Sequence, residues 1–229
     1  MGNMVFDAPA WPSLPVAQGG SYPVRRIFCV GRNYAAHAAE MGAEVDREAP
    51  FYFTKSPLAL WPSGGSLPYP PGTSELHHEV ELVAALGAAA FRATPEAAAG
   101  LVYGYAVGLD MTRRDLQARA KDKRRPWSTA KDFEGSAVIA PLSREFTPAT
   151  QQITLSVDGK MRQQGLLSDM VWSLSELIAD LSHYYHLGPG DLIMTGTPAG
   201  VGPVSPGAKL HGEIDGLPPL DLRITEPEG

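Results

Sequence analysis

LHHEVELVAAL, residues 76–86, places two carboxylates two positions apart in a run that is otherwise mostly apolar. Side chains two positions apart diverge on a helix, whereas they project from the same face of a strand. Val80 and Leu82 alternate with Glu79 and Glu81, and this alternation is typical of a strand. We therefore expect one apolar face and one face with two like charges, which must meet either water or a cation.

LVYGYAVGLD, residues 101–110, is a second apolar run and ends abruptly in Asp110. A carboxylate in that position commonly caps a helix or belongs to a site, and Thr112 could cap the following helix instead. If Asp110 converges with Glu79 and Glu81, each pair of like charges repels by roughly 4 kcal/mol at about 4 Å and an effective dielectric of about 20. A shared proton or a cation would offset this repulsion, and three carboxylates suit Mg²⁺ or Mn²⁺. In the alternative interpretation, both glutamates lie on the wet face of an edge strand.

Turn signals occur throughout the chain, which contains 24 Gly and 21 Pro among 229 residues. They separate short apolar runs and so favour many short strands over long helices. Asp158-Gly159 predicts a hairpin turn, and Asp215-Gly216 predicts a second one near the end of the chain. Four segments have the composition and caps of helices: 33–42, 94–100, 112–123 and 173–188. The sequence therefore predicts an α+β, mainly β domain with helices at its periphery.

Residues 1–20, rich in Pro and Gly, are predicted to form an irregular arm, and residues 21–229 are predicted to form one principal domain. The formal net charge of −6 argues against a nucleic-acid partner, and the basic run 121–125 is interpreted as a solvated helix end. The single cysteine, Cys29, excludes an internal disulfide framework and a cysteine-based zinc site. No apolar run is long enough to span a membrane, and the first residues lack a signal-peptide pattern. We expect no membrane partner and a cytoplasmic location.

GRNYAAHAAEMG, residues 31–42, places His37 and Glu40 three positions apart. On a helix they would share a face, where a carboxylate can orient the imidazole and raise its basicity, as a general base requires. A surface ion pair of little energetic value is the alternative interpretation. The adjacent His77 and His78 point to opposite faces of a strand, so they cannot easily bind one ion together.

Six motifs occur in the order and spacing found in the fumarylacetoacetate hydrolase family, which the chain resembles from about residue 24 to its end. They are CVGRNYAAHAAEMG, LHHEVELVAALG, GYAVGLDMTRRDLQ, RPWSTAKDFEGSAVIAP, VDGKMRQQG and GDLIMTGTPAGVGP. Within the family, the chain is similar to the short, single-domain branch that includes acylpyruvate hydrolases and fumarylpyruvate hydrolases. The resemblance implies a mixed β-roll of the family's C-terminal type, a homodimer and a Mg²⁺ or Mn²⁺ ion.

The resemblance also implies roles for particular positions. The implied metal ligands are Glu79, Glu81 and Asp110. The implied catalytic residues are His37 and Glu40, a dyad on a lid, together with Lys131, our candidate to stabilise the developing oxyanion or to protonate the leaving carbon. The implied substrate contacts are Arg32, Tyr34, Gln117 and Thr197. The FTKSP segment departs from the family pattern, since Ser56 follows Lys55 where relatives often have proline.

These roles imply hydrolysis of a C–C bond in a 3-acylpyruvate, such as fumarylpyruvate, to give pyruvate and a carboxylic acid. His37 would deprotonate a water molecule, which would attack the distal acyl carbonyl. Decarboxylation of oxaloacetate or isomerisation of a 2-oxo dienoate is the first alternative. The His37–Glu40 pair favours hydrolysis, since decarboxylation alone needs no activated water. A non-catalytic module that binds a metal or a small ligand is the second alternative.

Overall fold

The computed structural model describes residues 5–7, 10–40, 42 and 47–229. The strands, in chain order, are β1 (Ser13–Pro15), β2 (Ser21–Pro23), β3 (Arg26–Gly31), β4 (Phe51–Lys55), β5 (Leu60–Pro62), β6 (Gly65–Pro68), β7 (Leu76–His78), β8 (Val80–Leu86), β9 (Val102–Asp110), β10 (Thr112–Arg113), β11 (Ala137–Ile139), β12 (Gln152–Val157), β13 (Lys160–Leu166), β14 (Asp191–Met194), β15 (Gly202–Val204), β16 (Lys209–Ile214) and β17 (Leu220–Thr225). The α-helices are α1 (Ala35–Glu40), α2 (Pro95–Ala98), α3 (Arg114–Asp122), α4 (Ser128–Lys131) and α5 (Leu174–Tyr184). Single 3-10 turns occur at Pro57–Ala59, Ala99–Leu101 and Leu167–Asp169.

A mixed seven-stranded sheet forms the centre of the fold, in the order β4-β3-β14-β8-β9-β11-β5. One face packs against a five-stranded sheet with the order β13-β12-β16-β17-β6. The core between the two sheets includes Leu82 and Val107 of the central sheet and Leu155 and Leu210 of the second sheet. Val80 and Leu82 of β8 enter this core, and because side chains alternate along a strand, Glu81 lies on the other face.

The rest of the central sheet is covered by α5 and by the first strands of the chain. Leu177 and Leu181 of α5 pack against Phe28 of β3 and Ile193 of β14. On the opposite face of the central sheet, the two N-terminal strands pack against its side chains. The buried apolar cluster on this face includes Leu14, Tyr22, Ile27, Cys29, Val83, Ile139 and Met194. The central sheet is therefore buried on both faces.

A three-stranded sheet, in the order β10-β7-β15, lies where β8 begins and β9 ends. Thr112 of β10 pairs with His77 of β7, and Gly202 of β15 pairs with His78. Glu79 is the residue that joins β7 to β8, and Asp110 is the last residue of β9. This small sheet therefore fixes the end of the central sheet at which the acidic side chains meet.

The mainly β architecture with peripheral helices that the sequence predicts is confirmed. Asp158-Gly159 joins β12 to β13 with φ angles of 52° and 73°, as a tight hairpin turn requires. The second predicted hairpin joins β16 to β17. The predicted capping box opens α5, since Ser173 Oγ accepts from the Glu176 N–H and Glu176 Oε2 accepts from the Ser173 N–H at 2.8 Å.

Two local predictions need correction. Thr112 does not cap α3, because its backbone pairs with β7 and its hydroxyl bonds to the Asp110 carbonyl; α3 begins at Arg114. The arm predicted over residues 1–20 is not irregular throughout, since β1 pairs with β2 and Leu14 is fully buried. No helix in the described part of the chain is both long enough and apolar enough to cross a membrane.

Candidate active site

The three predicted carboxylates converge at the junction of the central sheet and the small sheet. The backbone N–H of Asp110 donates to the Glu79 carbonyl at 2.9 Å, and Glu81 pairs with Gly108 of β9. Oxygen atoms of Glu79, Glu81 and Asp110 all lie within 4.8 Å of one another. The exposed fractions of the three residues are only 5%, 1% and 0%. The interpretation that places the glutamates on a wet edge strand is therefore wrong.

Three buried or nearly buried cations compensate the three carboxylates. The Lys131 ammonium donates to Glu79 Oε2 at 2.8 Å and to Asp110 Oδ2 at 2.6 Å. Lys55 Nζ lies 2.8 Å from Asp110 Oδ1, and Arg114 donates to Glu79 Oε1. Such close pairing is what allows charges to be buried here, since an isolated buried carboxylate is strongly disfavoured.

The pKa values of the two glutamates are shifted in opposite directions. Burial raises the pKa of Glu79, but the cations of Lys131 and Arg114 outweigh burial and hold that pKa well below its usual range. Burial raises the pKa of Glu81 well above its usual range, and the Asp110 and Glu79 carboxylates raise it further, against a hydrogen bond from the Gly196 N–H at 2.9 Å. Glu81 is thus the carboxylate with the least compensation, and a divalent cation beside it would favour its ionised form.

The donor set fits Mg²⁺ or Mn²⁺. Hard divalent cations bind carboxylate oxygens in preference to nitrogen or sulfur, and three such groups face one another here. The neighbouring histidines point apart, as predicted. His78 Nδ1 lies 2.9 Å from Gln163 Oε1, whereas His77 lies beside Arg114. Glu79, Glu81 and Asp110 are the residues that could hold the ion.

His37 and Glu40 form the predicted pair on α1. His37 Nδ1 lies 3.3 Å from Glu40 Oε2, and Glu40 also accepts from the Gly200 N–H at 3.1 Å. His37 is buried and lines the same pocket as Glu79 and Glu81. The pair is therefore not an ordinary surface ion pair, because its imidazole faces the carboxylate cluster.

Most of the predicted substrate contacts line that pocket too. Arg32, Gln117 and Thr197 do so, together with Lys131. Tyr34 is placed differently: it lines a neighbouring cavity, and its buried hydroxyl has no hydrogen-bond partner among the described residues. The structure thus places seven of the ten predicted site residues in the lining of one pocket. Asp110 and Glu40 contact that lining through Lys131 and His37, and Tyr34 lies to one side.

Gln163 is a buried residue of this region that the sequence analysis does not identify as a site residue. Its Oε1 accepts from the Val80 N–H at 3.0 Å, and its Nε2 donates to Thr197 Oγ1 at 2.7 Å and to the Pro198 carbonyl at 2.9 Å. Because Oε1 can only accept, His78 must donate from Nδ1. Gln163 therefore ties the start of β8 to the loop that carries Thr197.

Lys55, Arg114 and Lys121 were also missed as site residues. Lys55 is a charged residue at the end of the apolar strand FYFTK, just as Asp110 is at the end of its own strand. This position could have indicated that Lys55 belongs to the site. Residues 122–125 are exposed, as the interpretation of a solvated helix end predicts, but Lys121 departs from it, since it is half-buried and lines the pocket. Arg114 follows the Asp110 motif directly, but nothing in its spacing indicates a pair with Glu79.

Residues 26–225 match the sequence pattern of the fumarylacetoacetate (FAA) hydrolase C-terminal family. The chain belongs to this family. A fumarylpyruvate hydrolase from a Ralstonia species is 48% identical over 192 residues, which are 82% of this chain and 100% of that protein. An oxaloacetate tautomerase from Escherichia coli is 41% identical over 199 residues, which are 85% of this chain and 90% of that protein.

A solved structure shows the same fold over almost the whole chain. It is the fumarylpyruvate hydrolase from Pseudomonas aeruginosa in complex with Mn²⁺ and pyruvate, with a TM-score of 0.95 and 45% sequence identity. The likeness covers 98% of this chain and 100% of that one. The mixed β-roll implied by the family resemblance is therefore confirmed.

Proposed function

We propose that this family member is a divalent-metal-dependent hydrolase that cleaves a C–C bond of a 3-acylpyruvate, with fumarylpyruvate as the favoured substrate. The products would be pyruvate and a carboxylic acid. The observation that carries the proposal is the buried cluster of three carboxylates facing the His37–Glu40 pair across one pocket. The similarity to fumarylpyruvate hydrolases, one of them solved with Mn²⁺ and pyruvate, supports the same reaction.

Glu79, Glu81 and Asp110 would hold the Mg²⁺ or Mn²⁺ ion. When bound, such an ion polarises a substrate carbonyl and stabilises negative charge on its oxygen. Lys131 donates its three N–H bonds to Glu79, Asp110 and Thr112, at 2.6 to 2.8 Å. That geometry favours an electrostatic role for Lys131 over protonation of the leaving carbon, because none of its protons points to the pocket without a partner.

His37 would act as the general base. Its Nδ1 faces the Glu40 carboxylate, which favours the tautomer with a proton on Nδ1 and leaves Nε2 to take a proton from water. The resulting hydroxide would add to the distal acyl carbonyl, and the bond from that carbon to C3 of pyruvate would then break. The electron pair passes into the pyruvate fragment, which is finally protonated on C3. Arg32, Gln117 and Thr197 would hold the polar groups of the substrate, and Tyr34 keeps a predicted contact role.

The reaction can be tested with three substrates. Purified protein is incubated with fumarylpyruvate, acetylpyruvate or oxaloacetate, in Mn²⁺, in Mg²⁺ or with chelator, while enol absorbance and pyruvate release are followed. We expect fumarylpyruvate to be hydrolysed only when a divalent ion is present. Turnover without metal, or turnover of oxaloacetate alone, would overturn the proposal.

Oxaloacetate chemistry is the second candidate function, because a relative 41% identical to this chain is an oxaloacetate tautomerase. Tautomerisation moves a proton but consumes no water and breaks no C–C bond. It would therefore remove the enol absorbance of oxaloacetate without release of pyruvate, and decarboxylation would release pyruvate from the same substrate. A non-catalytic binding module would bind Mn²⁺ and turn over none of the three compounds.

We also propose that the chain forms a homodimer and works in the cytoplasm on a small 2-oxo acid, without a nucleic-acid or membrane partner. The family resemblance supports the dimer, and β13 at the edge of the five-stranded sheet exposes Met161, an apolar side chain suited to an interface. One buried cysteine suits a reducing compartment. Light scattering during size-exclusion chromatography tests the dimer, and a monomer at micromolar concentration would contradict it.

A further inference from the structure

The cations that line the pocket fall into two groups. Lys131 and Arg114 are paired with the carboxylate cluster. Lys121 and Arg32 have no carboxylate partner among the described residues, and each lies near an aromatic ring. The Lys121 ammonium lies 5.2 Å from the centre of the Trp127 ring, and the Arg32 guanidinium lies 6.0 Å from the centre of the Phe51 ring.

Lys121 belongs to the same face of α3 as two residues nearer to the cluster. Arg114, Gln117 and Lys121 are spaced by three and then four positions, which places them in one row along a helix. The helix rises about 10 Å over these seven positions. Arg114 bonds to Glu79 at one end of the row, and Lys121 lines the pocket at the other. The row therefore runs from the carboxylate cluster toward the outer part of the pocket.

Lys121 lies close enough to other cations for their charges to affect it. Burial lowers the pKa of Lys121, and the positive charges of Arg114 and Arg32 lower it further. Arg114 is compensated by Glu79, so the excess positive charge lies on Lys121 and Arg32. Like charges gathered in a half-buried pocket are stabilised when an anion lies between them.

The wall between the cluster and these cations is aromatic. Phe53 and Trp127 line the pocket, with their ring centres 6.2 Å apart, and the Phe51 ring meets Trp127 edge-on at 5.0 Å. Flat aromatic surfaces favour a planar, apolar segment of a ligand. The pocket thus offers polar groups at its two ends and an apolar surface between them.

We propose that Lys121, together with Arg32, binds a second carboxylate at the far end of the acyl group and so selects acylpyruvates that are dianions. The inference rests on the proposed function and deepens it, since it names the residue that recognises the acyl group of the substrate. A substrate with an uncharged acyl group would leave both cations without a partner and would gain less binding energy. Selectivity would then come from Lys121 at the outer end of the pocket, and chemistry from the groups at the inner end.

The first test compares Lys121→Met with Lys123→Met in Mn²⁺-loaded protein. Methionine keeps an apolar side chain over Trp127 but removes the charge. Lys123, at the exposed end of the same helix, is outside the pocket and is the matched control. We expect Lys121→Met to lower kcat/KM for fumarylpyruvate about tenfold more than for acetylpyruvate, mainly through KM. Equal losses for both substrates, or no loss for fumarylpyruvate, would overturn the proposal.

A second measurement separates this proposal from the proposed reaction. Calorimetry with Mn²⁺-loaded protein compares 2-oxopimelate with 2-oxoheptanoate, which both have the chain length of fumarylpyruvate but differ in the terminal carboxylate. We expect 2-oxopimelate to bind about tenfold more tightly, and Lys121→Met to abolish that difference while Lys123→Met retains it. A preference found without hydrolysis of any acylpyruvate would support the carboxylate site and refute the hydrolase. Equal binding of the two acids would refute the carboxylate site, even in an active hydrolase.

Discussion

The ammonium nitrogen of Lys131 lies 2.6 Å from Asp110 Oδ2, and both side chains are almost fully buried. Loss of one partner of a buried ion pair leaves a charge without compensation and costs about 3–5 kcal/mol.

We expect Lys131→Met to lower the free energy of unfolding by about 3 kcal/mol in metal-free buffer. The loss should be smaller in saturating Mn²⁺, because the ion would compensate the freed carboxylates. Urea unfolding in both buffers measures the effect, with exposed Lys160→Met as control. Identical destabilisation with and without Mn²⁺ would count against a metal at this cluster.

Glu81→Gln should weaken metal binding without unfolding the protein. The pKa of Glu81 is raised by burial and by its acidic neighbours, so a neutral amide resembles the form that this environment favours without metal. We expect stability in metal-free buffer to change by less than about 1 kcal/mol, and Mn²⁺ affinity to fall at least about tenfold. Calorimetric titration with Mn²⁺ measures the affinity. Exposed Glu75→Gln is the matched control, and equal Mn²⁺ affinities in the two variants would exclude Glu81 as a ligand.

His37→Ala should abolish most of the activity and leave the metal site intact. Loss of a general base typically costs about 10²–10⁴ in rate, and we expect kcat for fumarylpyruvate to fall in that range. Mn²⁺ affinity should change little, since the group of residues that could hold the ion does not include His37. Pyruvate release and Mn²⁺ titration measure the two properties, and His183→Ala on the exposed end of α5 is the control. A His37→Ala protein with normal kcat would point to a non-catalytic role for the pair.

Asp191 should contribute stability that disappears in acid. Arg25 and Arg26 both bind its buried carboxylate, at 2.7 and 2.6 Å. Burial raises the pKa of Asp191, but the hydrogen bonds from Arg26 and Arg25 outweigh burial and lower it. Since the folded-state pKa lies below the unfolded value of about 3.9, the contribution is fully present above about pH 4 and is lost as pH falls through the folded pKa.

Asp191→Asn tests this pH dependence. We expect the variant to be less stable than the unaltered protein at neutral pH, with a difference that shrinks as the pH falls below about 4. Urea unfolding across that range measures it, and Glu228→Gln near the exposed chain end is the control. A difference that is constant with pH would show that the lost contacts, and not the charge of Asp191, account for the destabilisation.

Features that depend on neighbours in sequence could be predicted well. The alternation of Val80 and Leu82 with two glutamates is a local pattern, as are the hairpin at Asp158-Gly159 and the spacing of His37 and Glu40. Each of these forms as expected, because only the backbone geometry of one element is needed to bring the side chains together.

Features that depend on strand order could not be predicted in the same way. Lys55 ends β4 at one edge of the central sheet, and Asp110 ends β9, which is four strands away in the sheet order. The two side chains therefore meet only because the sheet curls. The pairing of Arg114 with Glu79 likewise depends on the contact between β10 and β7. That contact also explains why Thr112 is not a helix cap, since its backbone is held in a sheet and its hydroxyl bonds to Lys131.

The Glu40 carboxylate contacts the imidazole of His37 and also accepts a hydrogen bond from the backbone N–H of Gly200. A movement of α1 away from the Gly200 loop would break that contact and at the same time carry His37 and Glu40 away from the carboxylate cluster. If α1 closes over a bound substrate, the same movement would therefore bring the proposed base into position. A water molecule would meet an oriented histidine only after the pocket is shut, which would protect an activated intermediate from premature escape.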